Sequence, residues 1–297
     1  MGSEEREFSF KATVGDIVFH IWSRKAEGAA EGEIDTYAHM HYHSEFHYVY
    51  EGTEKITQSD TGKVTVIGAG DFCIIPGSVY HTVSSERGIL RQCFFLDIEY
   101  NDAHGRGEHS DYYLFSHILG ESKDVTVYRD AFVTAAMDEF RSLTEKGEGR
   151  LDMQRGLMLI SSITKAMEKK YLATSEAVIN KSRLKSNAMR YSRKRIIEEY
   201  ITNFYMEQGG ISELAKILYL SPRQTQNVVK SLMGEDFKTL IVRQRINTAR
   251  ALMKTTDLTL DEISREIGYN SYSGFYMAYV KMMGSSPDKE ALNCRED

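Results

Sequence analysis

Two segments near the C-terminal end repeat one layout, and this repeat restricts the fold more than any other feature of the sequence. The first is ISELAKILYLSPRQTQNVVKSLMG and the second is LDEISREIGYNSYSGFYMAYVKMMG. Each pattern predicts a short amphipathic helix, a break, a serine N-cap (Ser221 or Ser271) and a second helix that ends at glycine (Gly234 or Gly284). A plain helical bundle could contain one such segment. Two in register predict two helix-turn-helix units, whose second helices enter the DNA major groove.

The charge distribution agrees with this prediction. The chain of 297 residues has a net charge of -6, but residues 181–297 hold 19 Lys+Arg against 14 Asp+Glu, which leaves residues 1–180 strongly acidic. An acidic front half and a basic back half are typical of a sensor joined to a nucleic-acid binder. Residues 181–195 carry seven basic and no acidic side chains. We therefore expect a basic linker at 181–192 and a DNA-binding domain at 193–297.

The front half follows a different period. Short alternating or β-branched runs separated by Gly-containing turns extend from Phe8 to Leu96 and favour an all-β barrel or sandwich, here placed at 1–127. Apolar positions three and four apart then predict helices over 128–145 and 151–171. This hairpin, assigned to 128–180, either caps the barrel or forms a dimerisation surface, and the two roles are compatible. The expected fold class is α+β with two or more domains.

The composition of the chain indicates the cellular compartment in which it functions. There is no apolar run near the roughly 18 residues that a membrane helix needs, so no membrane partner is expected. The three cysteines are an odd number without metal-type spacing, which favours a reducing compartment. These features predict a cytoplasmic protein.

The back half, about residues 193–290, resembles the DNA-binding domain of the AraC/XylS family of bacterial transcription regulators. The residues that carry the resemblance are ELAKILYLSPRQTQ, RQRINTARALM, EISREIGY and FYMAYVKMMGSSP. The resemblance implies double-stranded DNA as a partner and contacts from exposed residues of the two reading helices. The matching positions are Arg223, Gln224, Gln226, Asn227 and Lys230 in the first helix, and Tyr272, Ser273, Gly274, Met277 and Lys281 in the second.

The second reading helix departs from the family pattern, because Met277 and Val280 stand where members commonly carry Arg and Lys. Arg223 can donate two hydrogen bonds to guanine and Gln226 can pair with adenine, whereas Met277 can offer only apolar contact, for instance to a thymine methyl. We therefore expect the first helix to supply most of the base specificity. The second helix would contribute shape fit and a phosphate contact through Lys281.

The front half resembles the cupin-like sensor domain of the same family. Its motif residues include two histidines and Glu45 at a spacing of two and four residues, although the second motif reads PGSVYH and lacks a following Asn. On one extended strand His39, His41 and Glu45 would share a face. His43 and His47 have the same parity and compete for the same interior. We expect an effector pocket without a metal, formed by Trp22, His39, His41, Glu45 and His81. A divalent metal held by His39, His41, Glu45 and His81 is the second alternative, and a metal-dependent cupin enzyme is the third.

The resemblance implies an effector-responsive transcription regulator and not an enzyme. We expect an activator of a catabolic or carbohydrate-use operon that forms a homodimer and contacts RNA polymerase. Carboxylate, imidazole and Trp22 suit a polyhydroxylated effector such as a sugar. Effector binding is expected to act through an N-terminal arm, residues 1–14, and the helices at 128–171.

Overall fold

The computed structural model describes residues 6–24, 32–36, 38–41, 43–77, 79–101, 111–147, 152–172, 181–206 and 210–296. The chain divides into two compact units, Met1–Ser192 and Arg193–Asp297, and the boundary falls inside one helix. None of the described helices is both long enough and apolar enough to cross a membrane. The expected α+β fold with a sheet-rich N-terminal unit and a helical C-terminal unit is confirmed.

The first unit is a sheet followed by helices. Its strands are β1 (Arg6–Val14), β2 (Ile17–Arg24), β3 (Gly32–Asp35), β4 (Ser44–Glu51), β5 (Thr53–Gln58), β6 (Val64–Gly68), β7 (Phe72–Ile75), β8 (His81–Tyr100) and β9 (Thr126–Tyr128). Its helices are α1 (Asp111–Glu121), α2 (Ala131–Gly147), α3 (Asp152–Leu172) and the first part of α4 (Lys181–Phe204). The pattern predicted the α2–α3 hairpin, whereas α1 and β9 were not predicted.

The 20-residue strand β8 holds the sheet together, because it takes part in two layers. Its first half pairs with β3 and β5, and its second half pairs with β2 and β4. Gly88, near the point where the partners change, has a φ of 86°, a left-handed value that favours glycine. The sequence predicted only Leu90–Leu96 of this strand, since the polar first half gives no apolar run.

The N-terminal arm is part of the sheet. Residues 6–14 form β1, which pairs with β2 along its length, and Phe8 is 2% exposed in the main apolar cluster. A Cβ built on Gly156 of α3 would lie 2.2 Å from the Phe10 ring, so strand and helix are in close contact. Residues 6–14 of the expected N-terminal arm are therefore a strand of the sheet, while residues 1–5 lie outside the described residues.

Residues 181–192, expected to be a linker, form the first turns of α4 and belong to the first unit. Tyr112 of α1 shares a hydrogen bond of 2.8 Å with Ser192, and Ala188 is buried in the main apolar cluster. A basic run lowers the apparent helix signal, but Lys and Arg are good helix formers. The segment is therefore helical, and its apolar Ala188 packs against the main apolar cluster.

The second unit contains the C-terminal part of α4 and six further helices: α5 (Ile211–Ile217), α6 (Pro222–Met233), α7 (Phe237–Thr255), α8 (Leu260–Glu266), α9 (Tyr272–Met283) and α10 (Pro287–Glu296). Two apolar clusters form its interior. One surrounds Ile197 and Leu214 beneath α5 and α6, and the other surrounds Ile263 and Phe275 beneath α8 and α9. Each pair, α5–α6 and α8–α9, therefore has a core of its own, and α7 contributes side chains to both.

Candidate functional site

The first reading helix, α6, begins with a fully formed cap. Ser221 accepts a hydrogen bond from the Gln224 amide, and the Gln224 side chain accepts one of 3.0 Å from the Ser221 amide, which completes a capping box. Pro222 occupies the first helical position and Gly234 closes the helix at a φ of 77°. Local chemistry alone thus fixes where α6 starts and ends.

The exposed side of α6 carries the side chains predicted to contact DNA. Thr225 and Val229 are buried, whereas Arg223, Gln226, Asn227 and Lys230 are exposed. Gln224 is exposed as well, but its side-chain oxygen is occupied by the cap. A guanidinium and two amides near a helix N-terminus can form paired hydrogen bonds with guanine and adenine edges.

The second reading helix, α9, also begins at a serine cap, but without the reciprocal bond of a capping box, and it has a different surface. Ser271 accepts a hydrogen bond from the Gly274 amide, and Phe275 and Tyr279 are buried. Among the predicted contact residues, Ser273, Gly274, Met277 and Lys281 are exposed. The Tyr272 hydroxyl donates to Asp288 of α10 at 3.0 Å, so this side chain is positioned by α10 in the protein without DNA.

The second candidate site lies in the sheet unit. The ligand atoms of four predicted residues all lie within 4.8 Å of one another, and these residues are His39, His41, Glu45 and His81. His41 Nε2 is 2.5 Å from Glu45 Oε2, and His81 Nε2 is 3.4 Å from the same oxygen. The cluster was predicted, but the reason given was incomplete, since β4 begins at Ser44 and only Glu45 lies on it.

Different elements bring the histidines together. His39 forms an isolated bridge with His81, in which each amide donates to the other carbonyl at 2.9 Å. Trp22 of β2 lies further out: its ring stacks on Phe95 with centroids 5.8 Å apart and meets the His43 ring edge-on at 4.4 Å. Phe95 also contacts the His41 ring at 5.4 Å. Aromatic rings therefore connect Trp22 with the cluster.

Below the cluster lies a buried network that sequence reasoning missed almost entirely. Glu45 Oε1 is 2.8 Å from His47 Nε2 and accepts a hydrogen bond of 2.9 Å from the Cys93 thiol. His47 Nδ1 pairs with Glu54, and Arg91 lies 3.2 Å from the other Glu54 oxygen. Of this network, only Glu45 and His47 are placed in the interior by the sequence analysis. Ionisable residues in otherwise apolar strands were the available signal.

Charge is balanced within this network. Burial disfavours the charged form of His47, but the carboxylates of Glu54 and Glu45 outweigh it and raise the pKa of His47 to about 9. Burial likewise opposes ionisation of Glu45, yet His41 and His47 hold the pKa of Glu45 well below its usual value. The pKa of Glu54 is also lowered, chiefly by His47. At neutral pH two carboxylates thus face an imidazolium and a guanidinium.

Comparison with known proteins identifies both units. The model for a helix-turn-helix domain matches residues 214–290, and the model for a cupin domain matches residues 28–89. The melibiose operon regulatory protein of Escherichia coli (strain K12) is 29% identical over 90 residues, which is 30% of each chain. The arabinose operon regulatory protein of Salmonella typhimurium is 25% identical over 150 residues, half of each chain. The chain is thus similar to parts of two operon regulatory proteins.

A solved structure shows the same fold as this chain. Ligand-free ToxT from Vibrio cholerae strain SCE256 superposes with a TM-score of 0.52 over 95% of this chain and 99% of that one, at 12% sequence identity. The chain spans 30% and 50% of the length of the two curated relatives named above. The likeness to the relatives thus concerns parts of their chains, and the likeness to ToxT concerns the fold.

The donor atoms of the histidine cluster fit a divalent cation. His41 Nδ1 lies 2.8 Å from the His43 carbonyl and His81 Nδ1 lies 3.0 Å from the Val79 carbonyl, so both Nδ1 atoms act as donors. The Nε2 atoms of both rings then face Glu45 Oε2. Among the described residues, buried His81 Nε2 has no hydrogen-bond partner. A proton or a cation between these acceptors would stabilise the cluster.

Proposed function

We propose that this chain is a sequence-specific DNA-binding transcription regulator whose sheet unit senses a small molecule. The observation that carries the proposal is the pair of capped helices α6 and α9, each of which presents an exposed first turn. Exposed Arg223, Gln226 and Asn227 on α6 supply the hydrogen-bond donors and acceptors that direct base reading needs. Acting on chromosomal DNA, the protein would work in the cytoplasm.

The effector would bind at the histidine cluster. Glu45 Oε2 and the Nε2 atoms of His41 and His81 converge there, and the Phe95 and Trp22 rings extend the site outward. Carboxylate and imidazole groups hydrogen-bond hydroxyl groups, and an aromatic ring packs on a C–H face, so a sugar-like ligand fits. We propose binding and not turnover, with activation of a catabolic operon through RNA polymerase as the output.

The α2–α3 hairpin is the proposed dimerisation surface. Phe132 of α2 is 51% exposed, and Met153 and Leu157, one turn apart on α3, are 63% and 46% exposed. Exposed apolar side chains on a helix pair favour association with a twofold mate. Light scattering at micromolar concentration should give the mass of a dimer, and a monomer with and without DNA would contradict this part.

The experiment for the main proposal is a binding-site selection with the full chain, followed by a thermal-shift screen of sugars and small metabolites. We expect one recovered sequence motif made of two short boxes about 34 Å apart along one face of the duplex. A hit in the screen should lose its shift in His41→Ala, whereas operator binding should persist, because the two sites lie in separate compact units. Failure to recover any motif would contradict the proposal.

A second candidate function of the same cluster is the binding of a divalent cation by His39, His41, Glu45 and His81. The convergence of their four ligand atoms within 4.8 Å of one another favours it. Mass spectrometry after dialysis would detect one equivalent of metal, which should be lost in His81→Ala. Retention of metal in that variant, or its absence from the unsubstituted protein after incubation with zinc, would contradict this candidate.

A further inference from the structure

The two reading helices are aligned 50 residues apart from cap to closing glycine, which allows a position-by-position comparison within one chain. In both helices a serine side chain accepts from the amide three residues on, and the fourth and eighth helical positions are buried; the reciprocal bond from the cap amide is present in α6 and not in α9, where Gly274 stands at the matching position. The exposed positions differ in chemistry throughout. Arg223, Gln226 and Asn227 on α6 correspond to Ser273, Tyr276 and Met277 on α9.

The exposed surface of α9 is apolar at its centre. Met277 is 73% exposed and Tyr276 is 38% exposed, and no charged side chain stands on α9 before Lys281. An exposed thioether is unfavourable in water, whereas a flexible and polarisable side chain packs well on an irregular apolar partner. The exposed Met277 side chain is therefore suited to contact an apolar group of a binding partner.

Position 274 lies one helical turn before Met277 and is occupied by glycine. Neither the backbone conformation nor the space around this position requires a glycine. Its φ lies outside the left-handed region, and a Cβ built there would meet its nearest neighbours, Ser271 Oγ and Tyr269 Cδ1, at 3.4 and 3.7 Å. Glycine inside a helix costs about 0.5–1 kcal/mol relative to alanine. A helix turn without a side chain has the advantage that its backbone can approach a flat surface closely.

We propose that α9 reads thymine through its C5 methyl groups, with Met277 packing on the methyls and Gly274 letting the first turn come close to the base edges. The methyl of thymine is the apolar group that the major groove displays, and apolar side chains contact it. The box under α9 is therefore rich in thymine, and the box under α6 is read by hydrogen bonds. This inference rests on the proposed function, since it names what one half of that site reads.

Uracil substitution tests the inference, because it removes the methyl group and leaves the Watson–Crick and major-groove hydrogen bonds in place. The duplex recovered by selection is resynthesised with uracil at the thymines of one box at a time. Burying a methyl-sized group contributes about 0.8 kcal/mol, so each contacted methyl should account for an affinity loss of about fourfold. Uracil in the α6 box should change affinity less than twofold.

Two variants separate Met277 from the rest of the domain. Met277→Ala should bind uracil and thymine duplexes with equal affinity, whereas Asn227→Ala, at the matched position of α6, should keep the full sensitivity to uracil in the α9 box. Gly274→Ala should leave the thermal midpoint unchanged or raised and still weaken binding at least fivefold. Opposite signs for stability and affinity cannot arise from a structural role of the glycine.

The outcomes distinguish this inference from the proposed function. A chain that selects no DNA contradicts the proposed function itself. A chain that selects a two-box operator but binds uracil and thymine duplexes equally well overturns the thymine inference. If Met277→Ala binds the thymine duplex and the uracil duplex each as tightly as the unsubstituted chain does, the thymine inference is also overturned. That result assigns the exposed apolar face of α9 to a protein partner.

Discussion

Replacing Glu54 with Gln should destabilise the sheet unit, because it removes one of two carboxylates from a buried, charge-balanced network. Glu54 is 1% exposed and pairs with both His47 and Arg91. The Gln amide has nearly the shape of the carboxylate, so packing is preserved and only charge is lost. Two cations then face Glu45 alone.

Two independent arguments give a similar magnitude for the loss in free energy of unfolding. A rise in the pKa of His47 from 6.5 to about 9 corresponds to about 3 kcal/mol at 1.36 kcal/mol per unit, and Glu54 is the largest cause of the rise. Removing one partner of a buried ion pair costs about 3–5 kcal/mol in measured cases. Because a Gln carbonyl still accepts one hydrogen bond, we expect about 3 kcal/mol.

Fluorescence offers a selective assay, since Trp22 is the single tryptophan and lies in the first unit. Urea unfolding of the full chain followed by this signal reports on the sheet unit. The matched control is Glu51→Gln, the same chemical change at an exposed position of β4, which should stay within about 0.5 kcal/mol. A loss below about 1 kcal/mol in Glu54→Gln would refute the charge-balance argument.

Three further predictions concern pH and DNA. The pKa of His47 in the folded protein, about 9, exceeds its value in the unfolded chain, so protonation of His47 stabilises the fold fully below about pH 6.5 and this stabilisation is lost as pH rises through 9. The free energy of unfolding, followed by Trp22 fluorescence, should decline over that range, and the decline should be smaller in Glu54→Gln. Arg223→Ala should cost about 1–3 kcal/mol of operator affinity and relax one base pair, more than Met277→Ala does; the reverse order would contradict α6 as the main specificity helix. Lys281→Ala should weaken binding evenly across sequences and reduce the salt slope by about one phosphate contact; an unchanged slope would exclude that contact.

The helix-turn-helix units could be predicted because their determinants are local. A Ser cap and its bonding partner are three residues apart, and a closing glycine needs a left-handed φ that few other residues adopt. Among the residues that the structure describes, one departs from this rule. Tyr219, in the turn between α5 and α6, has a φ of 54°, in the region where the corresponding Gly268 has 86°. Local sequence gives no sign of that conformation.

The network beneath the histidine cluster could not be predicted, because its members come together through sheet register. Cys93 and Glu45 are 48 positions apart, and Arg91 and His47 are 44 apart. Their pairing requires the alignment of β4 with β8, in which His47 lies opposite Cys93. Motif spacing along the chain found His39, His41, Glu45 and His81, although only Glu45 lies on β4. It could not find Cys93 or Arg91, whose pairing depends on register.

The chemistry of the cluster depends on how the two oxygens of Glu45 are divided. Oε1 is held by His47 and by the Cys93 thiol, so this oxygen is fixed from below. Oε2 faces the Nε2 atoms of His41 and His81, whose Nδ1 atoms donate to backbone carbonyls. Any group that binds here must therefore supply positive charge or a hydrogen-bond donor to Oε2. A sugar hydroxyl and a divalent cation both meet that requirement, whereas an anion would meet a carboxylate whose lowered pKa keeps it ionised.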